Sequence, residues 1–153
     1  MNPTNDNEKS QNRENSFAPE TMPPAPIADL LGFSLVSMKY GEVIMEFEAG
    51  PQHANPMGTL HGGVLCDLAD LSMGAVYATT LEKGESFTTL ELKINFLKPF
   101  WTGKLVAVAR IVKRGKTVGM AECEISDTHQ SLVAKAGSTC LTLRGDMASG
   151  RKF

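Results

Sequence analysis

Between Leu60 and Leu81 apolar and small residues recur at helical spacing, the longest such run in this chain of 153 residues. The stretches on either side of it read as strands, and Glu42 to Ala49 and Phe87 to Leu97 alternate with a period of two. One long helix among several strands has few ways to bury both apolar surfaces. The simplest is a helix laid on an antiparallel sheet, an α+β architecture of two layers. At about 100° per residue, Leu65, Leu68, Ala69, Ser72, Ala75 and Val76 share one helix face. Gly63, Asp67, Asp70 and Gly74 share the opposite one. That second face is two carboxylates and two glycines, not a solvated stripe of Lys and Glu. A glycine inside a helix costs about 1 kcal/mol relative to Ala. Gly74 therefore marks either relief of packing or the close approach of another backbone or a ligand.

The strands follow from the same patterning. Pro26 to Gly32 reads as one or two helical turns stopped by the glycine. Phe33 to Tyr40 and Glu42 to Ala49 read as strands joined at Gly41. In the second, Val43, Met45 and Phe47 form an apolar face against a mostly acidic one. Beyond the long helix come Phe87 to Leu97, Leu105 to Lys113, Thr117 to Ser126 and Ser131 to Leu143. These four read as an antiparallel meander with short turns. In the first of them Leu90, Leu92, Ile94 and Phe96 are expected on one face, and Thr89, Glu91, Lys93 and Asn95 on the polar other. A sheet of five to six strands is enough to curve over the helix.

Residues 1–26 are rich in Asn, Glu, Ser and Pro and are expected to form a disordered N-terminal tail. A single domain is expected over 27–144, and a short polar C-terminal tail over 145–153. The net charge of −2 supplies no basic surface for nucleic acid. No charge-free apolar run is long enough to span a bilayer, so no membrane partner is expected. The N-terminus has neither signal nor transit layout, with Asp6, Glu8 and Glu14 within it. Cys66, Cys123 and Cys140 are an odd number without metal-ligand spacing. They read as free thiols of a reducing cytoplasm, with no metal site.

The chemistry concentrates around the helix start. Asn55-Pro56 and Gly58 make a turn, and His61-Gly62-Gly63 opens the helix. A helix N-terminus presents bare N–H groups and suits negative charge, including the oxyanion of an acyl-transfer intermediate. Asp70 follows two to three turns later as a candidate base or nucleophile. The alternative is a surface acid paired with a neighbouring cation, but no Lys or Arg lies three or four positions away. Asp67 reads as an acid interacting with the helix dipole. His61 either moves a proton or bonds backbone. His53 and His129 read as surface loop residues. Lys98 and the Arg114-Gly115-Lys116 turn either hold phosphates of a long ligand or only solubilise strand ends. Tyr77, Met73 and Phe87 read as core, with an acyl pocket as their other use.

The run Asn55…Gly58-Thr-Leu-His61-Gly62-Gly63-Val64…Asp70, the strand Thr89 to Pro99 and the turn Val112 to Lys116 resemble the hot-dog fold acyl-CoA thioesterases. The likeness spans about residues 27–143 and is greatest to the phenylacetate-pathway thioesterase and thioesterase-superfamily-member-2 branch. It implies a curved antiparallel sheet wrapped around one central helix, acting without a cofactor. It implies a homodimer with active sites at its interface, often paired into a homotetramer, and acyl-CoA as substrate. Matched by position, Asp70 falls on the catalytic carboxylate and Gly62 on the amide that polarises the thioester carbonyl. Asn55 falls on the side chain that places thioester or water, and Thr89 on the hydroxyl that positions water. Asp70 and Thr89 would come from one subunit, Asn55 and Gly62 from the other. His61 and Gly63 match the motif, His61 without a fixed role. Two rivals remain on the same fold: a module that binds acyl-CoA without cleaving it, and an enoyl-thioester hydratase or dehydratase.

Overall fold

The computed structural model describes Pro23 and residues 25–151. The tail expected over residues 1–26 lies, apart from Pro23 and residues 25–26, outside the described residues. A short helix α1 (Pro26–Leu31) starts on its proline and stops at Gly32, which takes the left-handed φ of 81°. Strands β1 (Phe33–Lys39) and β2 (Glu42–Ala49) form a hairpin. The long helix α2 (Gly62–Ala78) follows. Then come β3 (Ser86–Phe96), β4 (Gly103–Arg114), β5 (Val118–Asp127) and β6 (Leu132–Leu143).

The strands form one antiparallel sheet in the order β1-β2-β4-β5-β6-β3. The expected four-stranded meander is therefore only partly present. β4, β5 and β6 follow one another, but β3 pairs with β6 instead of β4. The cause is the link at residues 97–102, which is a crossover and not a hairpin turn. Leu97 and Lys98 both donate to the Val133 carbonyl at 2.9 and 3.2 Å, and Phe100 O accepts from Leu60 N–H at 2.7 Å. The link thus passes the start of α2 and delivers β4 to β2. That leaves β3 as a free edge of the sheet.

The core is built from small residues on the sheet and large ones on the helix. Ala107, Ala109, Ala121, Ala134 and Ala136 face α2 from β4, β5 and β6 and are buried. Leu65, Leu68, Met73 and Tyr77 fill the space they leave, each removing its apolar surface from water. Such burial stabilises by about 1.5–3 kcal/mol per large side chain. Tyr77 and Met73 are fully buried, in keeping with their reading as core. Gly119 is required at its place: a Cβ there would lie 2.7 Å from the Tyr77 ring. On β2, Val43, Met45, Phe47 and Ala49 point inward as the alternation predicts. The acidic side of that strand is more than solvated. Glu42 pairs with Lys39 and Arg110, and Glu46 with Lys104, each at 2.9 Å. These exposed pairs contribute little individually.

Four strands each carry one bulged residue, Val36 in β1, Leu90 in β3, Val112 in β4 and Val133 in β6. A bulge bends and twists its strand, and here the bends wrap the sheet around the helix. No helix among the described residues is long and apolar enough to cross a membrane.

Candidate active site

The loop before α2 is organised by Asn55. Its Oδ1 accepts from the N–H groups of Met57 and Thr59 at 2.9 and 3.2 Å, and its Nδ2 donates to Thr59 Oγ1 at 2.9 Å. Gly58 supplies the left-handed residue that the turn needs, with φ of 84°. His53 ties the loop back, accepting on Nδ1 from Gly50 N–H and on its carbonyl from His61 N–H. His61 is the N-cap of α2, and its Nδ1 accepts from Gly63 N–H at 2.8 Å. Of the two alternatives left open for this histidine, backbone bonding is the one seen in the single chain.

Two glycines at the helix start answer two rings. A Cβ on Gly63 would lie 2.8 Å from His61 Nδ1, and one on Gly62 would lie 2.9 Å from Phe96 Cζ. With the Gly63 amide taken by His61, the Gly62 N–H is left without an acceptor among the described residues. It is a bare donor at the positive end of a 17-residue helix, the arrangement that stabilises an oxyanion.

Asp70 lies on the side of α2 that borders β3. The bulge at Leu90 sets what meets it. Thr89 pairs with Cys140, yet Glu91 pairs with Thr139, so the side-chain alternation slips by one between them. Thr89 thus leaves the polar outer face where simple alternation put it. It joins Leu92 and Ile94 on the face that looks toward α2, while Leu90 is turned out and 57% exposed. The Thr89 hydroxyl reaches Asp70 Oδ1 at 3.5 Å. Asp70 is exposed in the single chain. Even so, partial desolvation against α2 and β3 pushes its carboxyl above the ordinary range. Thr89 opposes this shift and the neighbouring Asp67 adds to it. Asp67 itself lies past the first turn, which holds no acid. Its effect is therefore on Asp70 more than on the dipole expected for it. Gly74, one turn on, gives room to the Phe87 ring, whose Cζ a Cβ would meet at 3.4 Å.

Gly62 and Asp70 are eight residues apart, about 12 Å along the axis at 1.5 Å per residue. One carbonyl cannot touch both in a single chain. The bare amide at the start of α2 and the carboxylate in its middle both lie beside the free edge strand β3.

The basic candidates are not brought together. Lys98 pairs with Asp127 at 2.7 Å and bonds Ser131 Oγ at 3.1 Å, clamping the β5–β6 turn. With the Lys98 ammonium and two backbone amides around it, Asp127 is drawn down to about 2. The Arg114 turn lies at the other end of β5, about 30 Å away by strand rise. Arg114 stacks over Tyr77 at 5.1 Å, bonds Thr80 Oγ1 and the Gly115 carbonyl, and pairs with Glu85. Arg144 holds the other oxygen of Glu85 at 2.6 Å. A cavity of about 430 Å³ opens here between Tyr40, Arg114, Gly115, Lys116 and Arg144. Gly115 makes the tight turn, where a Cβ would strike the Val118 carbonyl.

Sequence pattern alone assigns no functional role to Phe96, whose ring lies against Gly62, or to Cys140, the cross-strand neighbour of Thr89. An aromatic in an alternating strand and a buried thiol carry no local signal that would single them out.

A thioesterase-superfamily family model matches residues 57–134. Acyl-coenzyme A thioesterase 13 of Mus musculus is 32% identical over 69% of this chain and 76% of its own length. The 1,4-dihydroxy-2-naphthoyl-CoA hydrolase of Listeria monocytogenes is 28% identical over 70% of this chain and 87% of its own. Among solved structures, the PaaI protein of the phenylacetic acid degradation operon of E. coli superposes with a TM-score of 0.73 at 27% identity. That match covers 79% of this chain and 86% of PaaI, and it carries the hot-dog architecture of one curved sheet around one helix.

Proposed function

This chain belongs to the thioesterase superfamily and is a thioester hydrolase, and we propose that it cleaves acyl-CoA at sites shared between two copies of itself. The products are a carboxylic acid and free CoA. The carbonyl oxygen sits on the Gly62 N–H at the helix terminus, where charge developing in the transition state is stabilised. Asp70 of the facing chain either deprotonates water or attacks the carbonyl itself. Thr89 holds the carboxylate, and Asn55, already fixed by its loop, presents its amide to the thioester or the water. His61 and Gly63 keep the helix start in shape. The CoA thiolate is a good leaving group, so this chain's residues are sufficient and no cofactor enters.

One observation carries the reading. A carboxylate whose charge is disfavoured and a bare helix-start amide lie along one free strand edge, too far apart to act within a chain. An open edge of 11 residues is a template for a second strand. Pairing β3 of two copies antiparallel sets the amide of one against the carboxylate of the other. Exposed Leu90, Phe96, Leu97 and Trp101 on and beside that edge would be covered. Val112, Val118 and Met120 are exposed as well, and they support pairing of such dimers into a homotetramer. Lys98, Arg114, Gly115 and Lys116 are the candidates for the CoA phosphates. Lys116 is the lysine of that set without an acid partner among the described residues. Three free thiols fit work in the cytoplasm.

The test is Asp70→Asn assayed for thiol release over aryl-acetyl, benzoyl and fatty acyl-CoA thioesters. The variant should lose nearly all turnover while keeping the size and fold of the wild type. Undiminished turnover would remove Asp70 from the mechanism. Wild-type binding without release would favour the acyl-CoA-binding module, and change in enoyl absorbance without free thiol the hydratase.

A further inference from the structure

Met73, Tyr77 and Phe87 read from the sequence as core or as acyl pocket, and the fold divides them. Met73 and Tyr77 are fully buried. Phe87 is only half-buried and stands outside the hydrophobic core cluster. Its ring lies over Gly74, where a Cβ would meet Cζ at 3.4 Å. It also packs on Tyr77, with 5.2 Å between ring centroids. Tyr77 is itself held, since its hydroxyl bonds Thr142 Oγ1 at 2.9 Å and Arg114 stacks over it at 5.1 Å. The Phe87 carbonyl accepts from Arg151 Nη1 at 2.8 Å, which ties down the backbone. The ring is therefore a fixed wall with one side open.

Its place relative to the carboxylate follows from two periods. Phe87 comes two residues before Thr89, short of the bulge at Leu90, so both side chains face α2. The ring is thus about 7 Å from Thr89 along the strand. Gly74 is one turn beyond Asp70, about 6 Å along the helix. One turn back in the other direction stands exposed Asp67. Along this groove an acyl group at Asp70 meets an acid on one side, and a glycine floor ending in an aromatic ring on the other. Only the second suits an apolar group, because the first would strip water from a charge.

We propose that the Phe87 ring closes the acyl pocket, so that this chain takes aryl or short acyl groups and excludes extended fatty chains. The proposal rests on the reading of Asp70 given above. An aryl group one helical turn from the carboxylate packs on the ring edge-to-face or offset. A long straight chain runs into it. Gly74 keeps the floor of the pocket clear, which gives its place inside a helix a use.

Phe87→Ala removes the wall, and Phe87→Leu keeps much of its bulk without the ring. Thiol release gives kcat/KM for phenylacetyl-, butanoyl- and decanoyl-CoA. The wild type should favour the first two over decanoyl-CoA. Phe87→Ala should lose about tenfold on phenylacetyl-CoA and gain about tenfold on decanoyl-CoA. Phe87→Leu should lose on phenylacetyl-CoA without that gain. Affinities of the same thioesters for Asp70→Asn, with and without Phe87→Ala, read the pocket without cleavage and should show the same reversal. Should Phe87→Ala not fold, Gly74→Ala brings only a methyl into ordinary contact with the ring. That variant shrinks the pocket and should lower phenylacetyl-CoA relative to butanoyl-CoA in both measurements. A wild type that favours decanoyl-CoA, or a preference that none of these substitutions moves, overturns the wall. Thiol release without the reversal would count against Phe87 alone. The reversal in affinity without any thiol release would count against hydrolysis alone.

Discussion

Two acids beside the first half of β3 have contrasting surroundings. Glu85, just before the strand, is buried, and burial pushes its carboxyl up. The Glu82 amide and the guanidinium groups of Arg144 and Arg114 outweigh that, and the group ends below its ordinary value. Arg114 is further spent on Tyr77 and Thr80. Asp70, beside Thr89, also loses solvent, but only one long hydrogen bond opposes the cost and a second acid adds to it. It ends above its ordinary value. A carboxylate surrounded by donors is architecture, since its charge is already spoken for. A carboxylate kept short of donors at an open edge still has charge to use.

Asp70→Asn breaks that contrast most severely. It should lower kcat about a thousandfold, within the range for a positioned acid or base. It should also raise the thermal midpoint at neutral pH, because ionising Asp70 costs more in the folded chain than in the unfolded one. Wild-type kcat/KM should accordingly fall away on acidification at a pH above 3.8, the ordinary value for Asp. Thr89→Val removes the single opposing bond. A kcat loss of about tenfold and an acid limb at still higher pH are expected from stopped assays across pH.

Glu85→Gln turns the other acid. It should cost about 2 kcal/mol in urea unfolding at pH 7, less than a fully buried pair because Arg144 is half-exposed. The sign follows from its lowered pKa. Its contribution is present above about 4.5 and shrinks as pH falls, so variant and wild type should converge in acid. Asp127→Asn is the mildest. A lowered thermal midpoint at pH 7 should close with the wild type only as pH drops from 3.8 toward about 2.

Much of this was legible in the sequence. The faces of α2 and the alternation of β2 follow from 3.6 and 2.0 residue periods, and burial obeys them. Asp70 and Gly62 stood out because one lacks a local partner and the other opens a helix. Three things were not legible. The bulge that turns Thr89 inward leaves Thr89-Leu90-Glu91 looking like any alternating strand. The pairing of β3 with β6 depends on where the 97–102 link crosses, which is tertiary. Lys98 and Arg114 look alike as basic residues at strand ends, but each is consumed by an acid that only the fold brings near.

The proposed site is made from two chains, and mixed dimers test that directly. Asp70→Asn and Asn55→Ala each spoil one half-site, so each alone should be nearly inactive. Refolded together in equal amounts, they form dimers in which one of the two sites has both halves intact. With twofold symmetry and random pairing, about a quarter of wild-type thiol release should return. Mixed dimers seen by native mass spectrometry, but with no activity beyond that of the two variants apart, would contradict a shared site.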